Sequence, residues 1–253
     1  FYGLIGVGGT FKSIDAEYMM YRNAINDVPS LYLNGEMSSY QFYERMISMA
    51  LKIDLYQALA QKKIRKDNVD ELIAQVNEVT KGNIFVVNGS GFNAENIIAS
   101  VDNIEAKTGK RIKLIVVDGV TQMEDTKNDE IRSTIYNSHV CKEVAKQANV
   151  AIIGLLHVSG EITKHTRDTG ERVRGGRKVL ANMDGYFCTS LLIDTDLEDY
   201  LENEVQYREG MFYLRFVDKR SKGGTINVII QVNEHIQLEQ LEESVHNYEV
   251  KKS

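Results

Sequence analysis

The chain has 253 residues, 43% of them hydrophobic and 26% charged, with a net charge of −6 at neutral pH. That is long enough for one large α/β domain with a full core, and too acidic for a protein that coats nucleic acid with its whole surface. No apolar run reaches spanning length, no signal-peptide pattern is present, and Cys141 and Cys188 lie outside any zinc spacing; these features argue against a membrane and for a reducing, cytoplasmic compartment.

Tyr2 to Ile5 reads as a buried strand that runs into Gly6, Gly8, Gly9, Thr10, Phe11, Lys12 and Ser13, after which a helical pattern begins. Strand, glycine loop, Lys-Ser and helix is the layout of a phosphate-binding loop. There, backbone N–H groups and the helix N-terminus cradle phosphates, the lysine meets the β/γ oxygens, and the serine hydroxyl suits Mg²⁺. Phe11 stands where the G-x-x-x-x-G-K-[ST] pattern has its second glycine. Taken alone, the stretch also fits an ordinary glycine turn followed by a chance Lys-Ser.

The spacing then predicts a helix over 14–26 ended ahead of Pro29, a strand over 30–34, and a helix over 40–51 capped by Ser38 or Ser39. A helix over 67–79, a strand over 83–87 and a helix over 94–107 with Gly109 just past its end follow. Next come a near-continuous apolar strand over 112–118, a helix over 131–149, and a strand over 150–156 with His157 at its tip. The stretch 160–178 is polar, basic and glycine-bearing; a strand over 185–193 and a hairpin of 211–217 with 225–232 close the pattern, leaving an acidic, peripheral tail from about Glu234. Strands alternating with helices of this length predict one α/β domain over residues 1–253. Its sheet is mostly parallel and flanked by helices, it has a C-terminal β-hairpin, and its ligands lie at the strand C-termini.

Lys12/Ser13, Glu36, Asp118 and His157 each fall just past a predicted strand, so adjacent strands would gather them on one rim. Asp118 has the form of the acid that holds a Mg²⁺ hydration shell; a strand-terminal turn residue is the plainer account. Glu36 is a candidate base for the water that attacks a γ-phosphate, or a helix N-terminal acid favoured by the macrodipole. His157 is a candidate γ-phosphate reporter or a structural histidine. The basic stretch holds Lys164, Arg167, Arg172, Arg174, Gly175, Arg177 and Lys178, the one place in an acidic chain where phosphates of nucleic acid find favourable potential. Lys219 and Arg220, at the hairpin turn, are surface charge or an arginine finger reaching a neighbouring subunit's nucleotide.

In order and spacing the chain resembles the C-terminal, RecA-like motor domain of DnaB-type replicative helicases, in a divergent phage version. Leu31-Tyr-Leu-Asn-Gly-Glu36-Met37 is similar to the family's strand ending in Leu-Glu-Met, Asn83 to Gly91 to its strand and Ser-Ser-Gly turn, and Ile115 to Met123 to its Ile-Asp-Tyr-Leu-Gln-Leu-Met run. Lys142 to Val150 is similar to its Leu-Ala-Lys-Glu-Leu-Asn-Val helix end. Val173-Arg174-Gly175-Gly176 with Met183-Asp184 resembles its Leu-Arg-Gly-Ser…Ala-Asp stretch, and Asp218-Lys219-Arg220…Gly224-Thr225 its basic hairpin. The resemblance implies an ATP- and Mg²⁺-dependent helicase that assembles as a homohexamer around single-stranded DNA and works with a primase and a helicase loader in the cytoplasm, the host's if phage-encoded. It also implies Glu36 as the base, the Arg174 loop as the grip on DNA, and trans-acting Lys219 and Arg220. His157 replaces the glutamine of cellular members, and the hairpin aligns with a one-residue ambiguity that favours Arg220 over Lys219. The family's N-terminal domain and linker helix are not in this sequence, as in a domain cut from a longer protein. A RecA-type recombinase shares the core, and a non-hydrolysing oligomeric scaffold is compatible with Phe11.

Overall fold

The computed structural model describes residues 1–54, 57–58, 61, 68–124, 129–158, 172–190, 192, 211–219, 225–233 and 235–240. Its centre is a nine-stranded sheet, taken here in chain order as β1 (Tyr2–Gly6), β2 (Ser30–Asn34), β3 (Ile84–Asn88), β4 (Leu114–Asp118), β5 (Ala151–His157), β6 (Gly185–Ser190), β7 (Met211–Asp218), β8 (Thr225–Val232) and β9 (Leu238–Gln240). The spatial order is β3-β2-β4-β5-β1-β6-β7-β8-β9. β1 to β6 are all parallel, and β7 to β9 extend the sheet antiparallel.

The central strands read as apolar runs because helices cover both faces. Alternate residues part company: Ile5, Leu31, Leu33, Ile115, Val117, Ile152 and Leu156 enter one core, and Leu4, Tyr32, Leu114, Val116, Ile153 and Leu155 the other. The first core is closed by α4 (Ala94–Thr108), α5 (Glu130–Gln147) and α6 (Gly176–Ala181), through Ile97, Val101, Val140, Cys141, Val144 and Val179. The second is closed by α1 (Lys12–Ile25), α2 (Ser39–Leu51) and α3 (Val69–Val79), through Ala16, Met20, Phe42, Met46, Met49, Leu72 and Val76.

Local chemistry sets the helix ends. Ser38 and Gln41 form a capping box at the start of α2, Asn93 and Asn96 another at α4, and Gly109 ends α4 in the left-handed region at φ 70°. α1 differs: Phe11 precedes it at φ 63° and no side chain caps it, so its first N–H groups stay open to the loop before it. After β1, α1 carries the chain past the places later filled by β5 and β4 and delivers it to β2. The chain goes on outward to β3 before it returns to β4 and β5, between β2 and β1, and the crevice at the strand C-termini is where such sheets bind ligands.

Two expectations are corrected. The tail is not peripheral over 235–240: β9 pairs with β8, Ile236 packs into the α1–α3 core, and Gln237 Nε2 donates to the Met49 carbonyl at 2.8 Å. A short alternation, Ile236-Gln237-Leu238, is enough to seat an edge strand in an acidic segment. The basic stretch is not loop throughout either: α6 begins at Gly176, buries Val179 and Leu180, and leaves Arg177 and Lys178 exposed. Among the described residues no helix is long and apolar enough to cross a membrane.

Candidate active site

The C-terminal tips of β2, β4, β5 and β1 are consecutive in the sheet, and the residues that follow them enclose a cavity of about 410 Å³. It is lined by Gly8, Gly9, Phe11, Lys12 and Ser13 of the loop and the start of α1, together with Glu36, Met37, Arg45, Asp118 and His157. Gly6 and Thr10 brace the loop from behind. Thr10 is 1% exposed, and its hydroxyl bonds to the Val7 carbonyl at 2.8 Å and shares a hydrogen bond with the Thr189 hydroxyl of β6 at 2.9 Å. The buried Lys12 ammonium donates to the Val7 carbonyl at 2.7 Å, folded against the loop it closes.

Phe11 holds a left-handed backbone, the conformation for which the missing glycine is otherwise used. Its ring packs on fully buried Phe212 of β7, centroids 5.3 Å apart. A conformation that costs about 1–2 kcal/mol for a side-chain-bearing residue is thus offset by a ring contact of about 0.5–1.5 kcal/mol beyond its burial.

Glu36 leans across the β4 tip. His157 Nε2 lies 3.4 Å from its carboxylate, and that contact holds the Glu36 carboxyl below its ordinary range against the opposing effect of burial. Gly119, at φ 88°, makes the lean possible: a Cβ there would fall 2.2 Å from Glu36 Oε1. Asp118 is 2% exposed, and its Oδ2 accepts from the Tyr32 hydroxyl at 2.5 Å. Burial pushes its carboxyl up to about 6, a rise the Tyr32 bond opposes and neighbouring Glu36 adds to, while Arg45 and His157 pull it down. Such a carboxylate is short of positive charge, and a divalent cation would supply it. Among the described residues no three His, Cys, Asp or Glu side chains converge as a protein-only metal site. Asp118 and Ser13 instead offer two hard oxygens on one cavity, the partial set that Mg²⁺ completes with water and substrate phosphates.

Two charged residues of this site escape a reading of the sequence. Arg45, on α2, lines the cavity, and its Nη1 donates to both carboxylate oxygens of Glu17, on α1, at 3.1 and 3.3 Å. Glu17 is wholly buried. The available signal was a glutamate in the helical stripe of Ala16, Met20 and Ala24, where an apolar residue belongs.

The basic stretch meets the site through the main chain. The Arg174 N–H donates to the His157 carbonyl at 3.3 Å, and Val158 bridges Val173. The Arg174 side chain is ion-paired with Glu130, the first residue of α5. Gly175, at φ 86°, sits where a Cβ would strike Val179 and Ile135, so its place is a packed turn. Arg172 is half-buried; Lys164 and Arg167 lie outside the described residues. Lys219 is not brought to this cavity. Asp218 pairs with Gly185 at the N-terminal edge of β6, so β7 delivers Lys219 to the far edge of the sheet, where its ammonium donates to the Leu180 carbonyl of α6. Arg220 lies outside the described residues.

A parallel sheet with a phosphate loop after β1, an acid after β4 and a glutamate after β2 defines the RecA-like class of P-loop ATPase domains. Residues 7–170 match the family of the DnaB-like helicase C-terminal domain, and the chain belongs to that family. Among solved structures it is similar to a DnaB-like replicative helicase, determined with its interactions with primase, at TM-score 0.75 and 16% identity over 96% of this chain and 57% of that one. It is also similar to the ATPase domain of a second protein, at TM-score 0.77 and 17% identity over 96% of this chain and 84% of that one. The chain therefore spans just over half the length of the first. No curated protein matches it in sequence.

Proposed function

We propose that residues 1–253 work as one ATP-hydrolysing motor domain of a ring-shaped replicative helicase, which moves on single-stranded DNA and unwinds duplex. The observation that carries this reading is the meeting, in one cavity, of Lys12, Ser13, Glu36, Asp118 and His157 from four adjacent strand tips. Lys12 and the open N-terminus of α1 bind the β- and γ-phosphates. Ser13 and Asp118 hold Mg²⁺, which neutralises charge on the phosphate oxygens. Glu36, ionised at neutral pH, orients the attacking water and takes its proton. Arg45, held by Glu17, adds a positive charge to the same cavity. His157 sits between the two events: its ring contacts Glu36 and its carbonyl holds the Arg174 strand segment, so a change at the γ-phosphate reaches the residues that meet DNA. Arg172, Arg174, Arg177 and Lys178, with Lys164 and Arg167, supply phosphate contacts to the strand. Phe11, held in the shape a glycine would take, supports a working loop.

Arg220 completes the site of a neighbouring copy, which makes the assembly a homo-oligomer, a hexamer by analogy with the family. Primase, which the similar replicative helicase engages, and a loader are its expected partners. The compartment is the cytoplasm, a host's if the protein is phage-encoded. Mg²⁺-ATP hydrolysis measured with and without single-stranded DNA tests the reading. DNA stimulates the wild type, and the stimulation fades as salt rises. Glu36→Gln keeps ATP binding and loses turnover by about 10²–10⁴-fold, the usual weight of a positioned base. Retained hydrolysis in that variant removes Glu36 from the mechanism.

A further inference from the structure

Glu17 is a buried acidic residue near the cavity that the proposed mechanism leaves without a task. It lies on α1 five residues after Lys12, its side chain is wholly buried, and its carboxylate meets a single side chain, Arg45. Burying a carboxylate costs several kcal/mol unless it is paired, and an apolar residue would fill this position in the Ala16–Met20–Ala24 stripe without that cost. The pair also has an orientation. Only Arg45 Nη1 is committed to Glu17, and a guanidinium carries five donors in a rigid fork. With Nη1 committed to Glu17, Arg45 still lines the same cavity as Lys12, Ser13, Glu36 and Asp118, so its other donors are available to a ligand there. Glu36, the proposed base for the attacking water, lines this cavity too, so a terminal phosphate lies within the same enclosure if the cavity holds a triphosphate as proposed above.

We infer that Glu17 is a positioning residue: it pins the Arg45 guanidinium so that its remaining N–H donors face the terminal phosphate of a bound nucleoside triphosphate. A diphosphate, which lacks that group, gains nothing from the arrangement. Burial pushes the Glu17 carboxyl up to about 8, a rise that Arg45 opposes and nearby Asp118 adds to, so Arg45 is the cation that favours its charged form. Unpinned, Arg45 is a flexible side chain that must be ordered anew at each binding event.

The test is a titration of the full chain with fluorescent methylanthraniloyl-ATP and methylanthraniloyl-ADP in Mg²⁺, for wild type, Glu17→Gln, Arg45→Gln and the double variant, with each Tm recorded. Glutamine keeps the shape of the buried side chain and removes its charge, and the double variant leaves no unpaired charge behind. Glu17→Gln lowers the preference for the triphosphate about tenfold, as expected for one charge-assisted hydrogen bond to phosphate. Arg45→Gln does the same, and the double variant is no worse than Arg45→Gln alone, because Glu17 acts only through Arg45. Three results overturn the inference: unchanged binding of both nucleotides in Glu17→Gln, an equal loss of both with a lowered Tm, or losses that add in the double variant. Failure of the wild type to bind either nucleotide is a different result, and it removes the nucleotide site itself.

Discussion

Phe11 shows at the residue scale how a loop motif can lose a glycine and keep its shape. The backbone at this position is left-handed, a region that glycine enters freely and a bulky side chain enters at a cost. Phe212 supplies the offsetting contact from β7. The two effects separate in substitution. Phe11→Ala keeps the strained backbone and loses the ring contact, so it destabilises the fold by about 1–2 kcal/mol. Phe11→Gly loses the same contact but relieves the strain, and is more stable than the alanine variant by about 1 kcal/mol. Urea unfolding of the three proteins checks the order, and an alanine variant as stable as the glycine variant removes strain from the account.

In the proposed mechanism, the element that would join hydrolysis to DNA is the segment from β5 to α6. β5 ends at His157, the chain returns to bridge it at Val173, and α6 begins two residues after Arg174. The Arg174 side chain rests on Glu130 at the start of α5, where a negative charge is also favoured by the helix dipole. A DNA phosphate drawn to Arg174 must compete with that carboxylate. Both partners are partly exposed, so the pair is worth at most about 1 kcal/mol. Glu130→Gln therefore tightens single-stranded DNA binding about threefold at low salt, and the gain shrinks as salt screens the charge. Glu143→Gln removes the same charge further along α5 and serves as the control in a fluorescence-anisotropy titration. Equal effects of the two substitutions reduce the Glu130 contact to general electrostatics.

The whole molecule sets the candidate cavity and the β7–β8 turn at opposite edges of one sheet. The cavity opens at the C-terminal tips of β1, β2, β4 and β5, whereas β7 ends and β8 begins at the other edge, level with Tyr2 and Gly185. Lys219, just past β7, lies at that other edge against the Leu180 carbonyl, and in the proposed reading Arg220 serves the cavity of another copy. This leads to a mixing experiment. Arg220→Ala keeps its nucleotide loop and lacks the finger; Lys12→Ala keeps the finger and lacks the loop. Each alone has little ATPase activity, and the mixture regains it, since the loop of the first meets the arginine of the second. A mixture no more active than its parts places Arg220 outside the shared site.

The sequence by itself determined a good deal of this protein. Apolar runs at 30–34 and 114–118 are β2 and β4, because a strand covered on both faces must be apolar along its length. Ser38 with Gln41 and Gly109 mark the helix ends, because capping is local chemistry. The rim of Lys12, Ser13, Glu36, Asp118 and His157 was legible too, since residues just past parallel strands must share an edge. Only the tertiary structure decided the rest. Strand order determines that β2 and β1 flank β4 and β5, and the helices' rotation brings Arg45 of α2 onto Glu17 of α1, 28 residues apart. Phe212 reaches Phe11 from the other end of the chain, and Ile236 joins a core that its acidic neighbours conceal. These contacts join residues far apart in the chain, and no local pattern records which distant side chain will fill a given space.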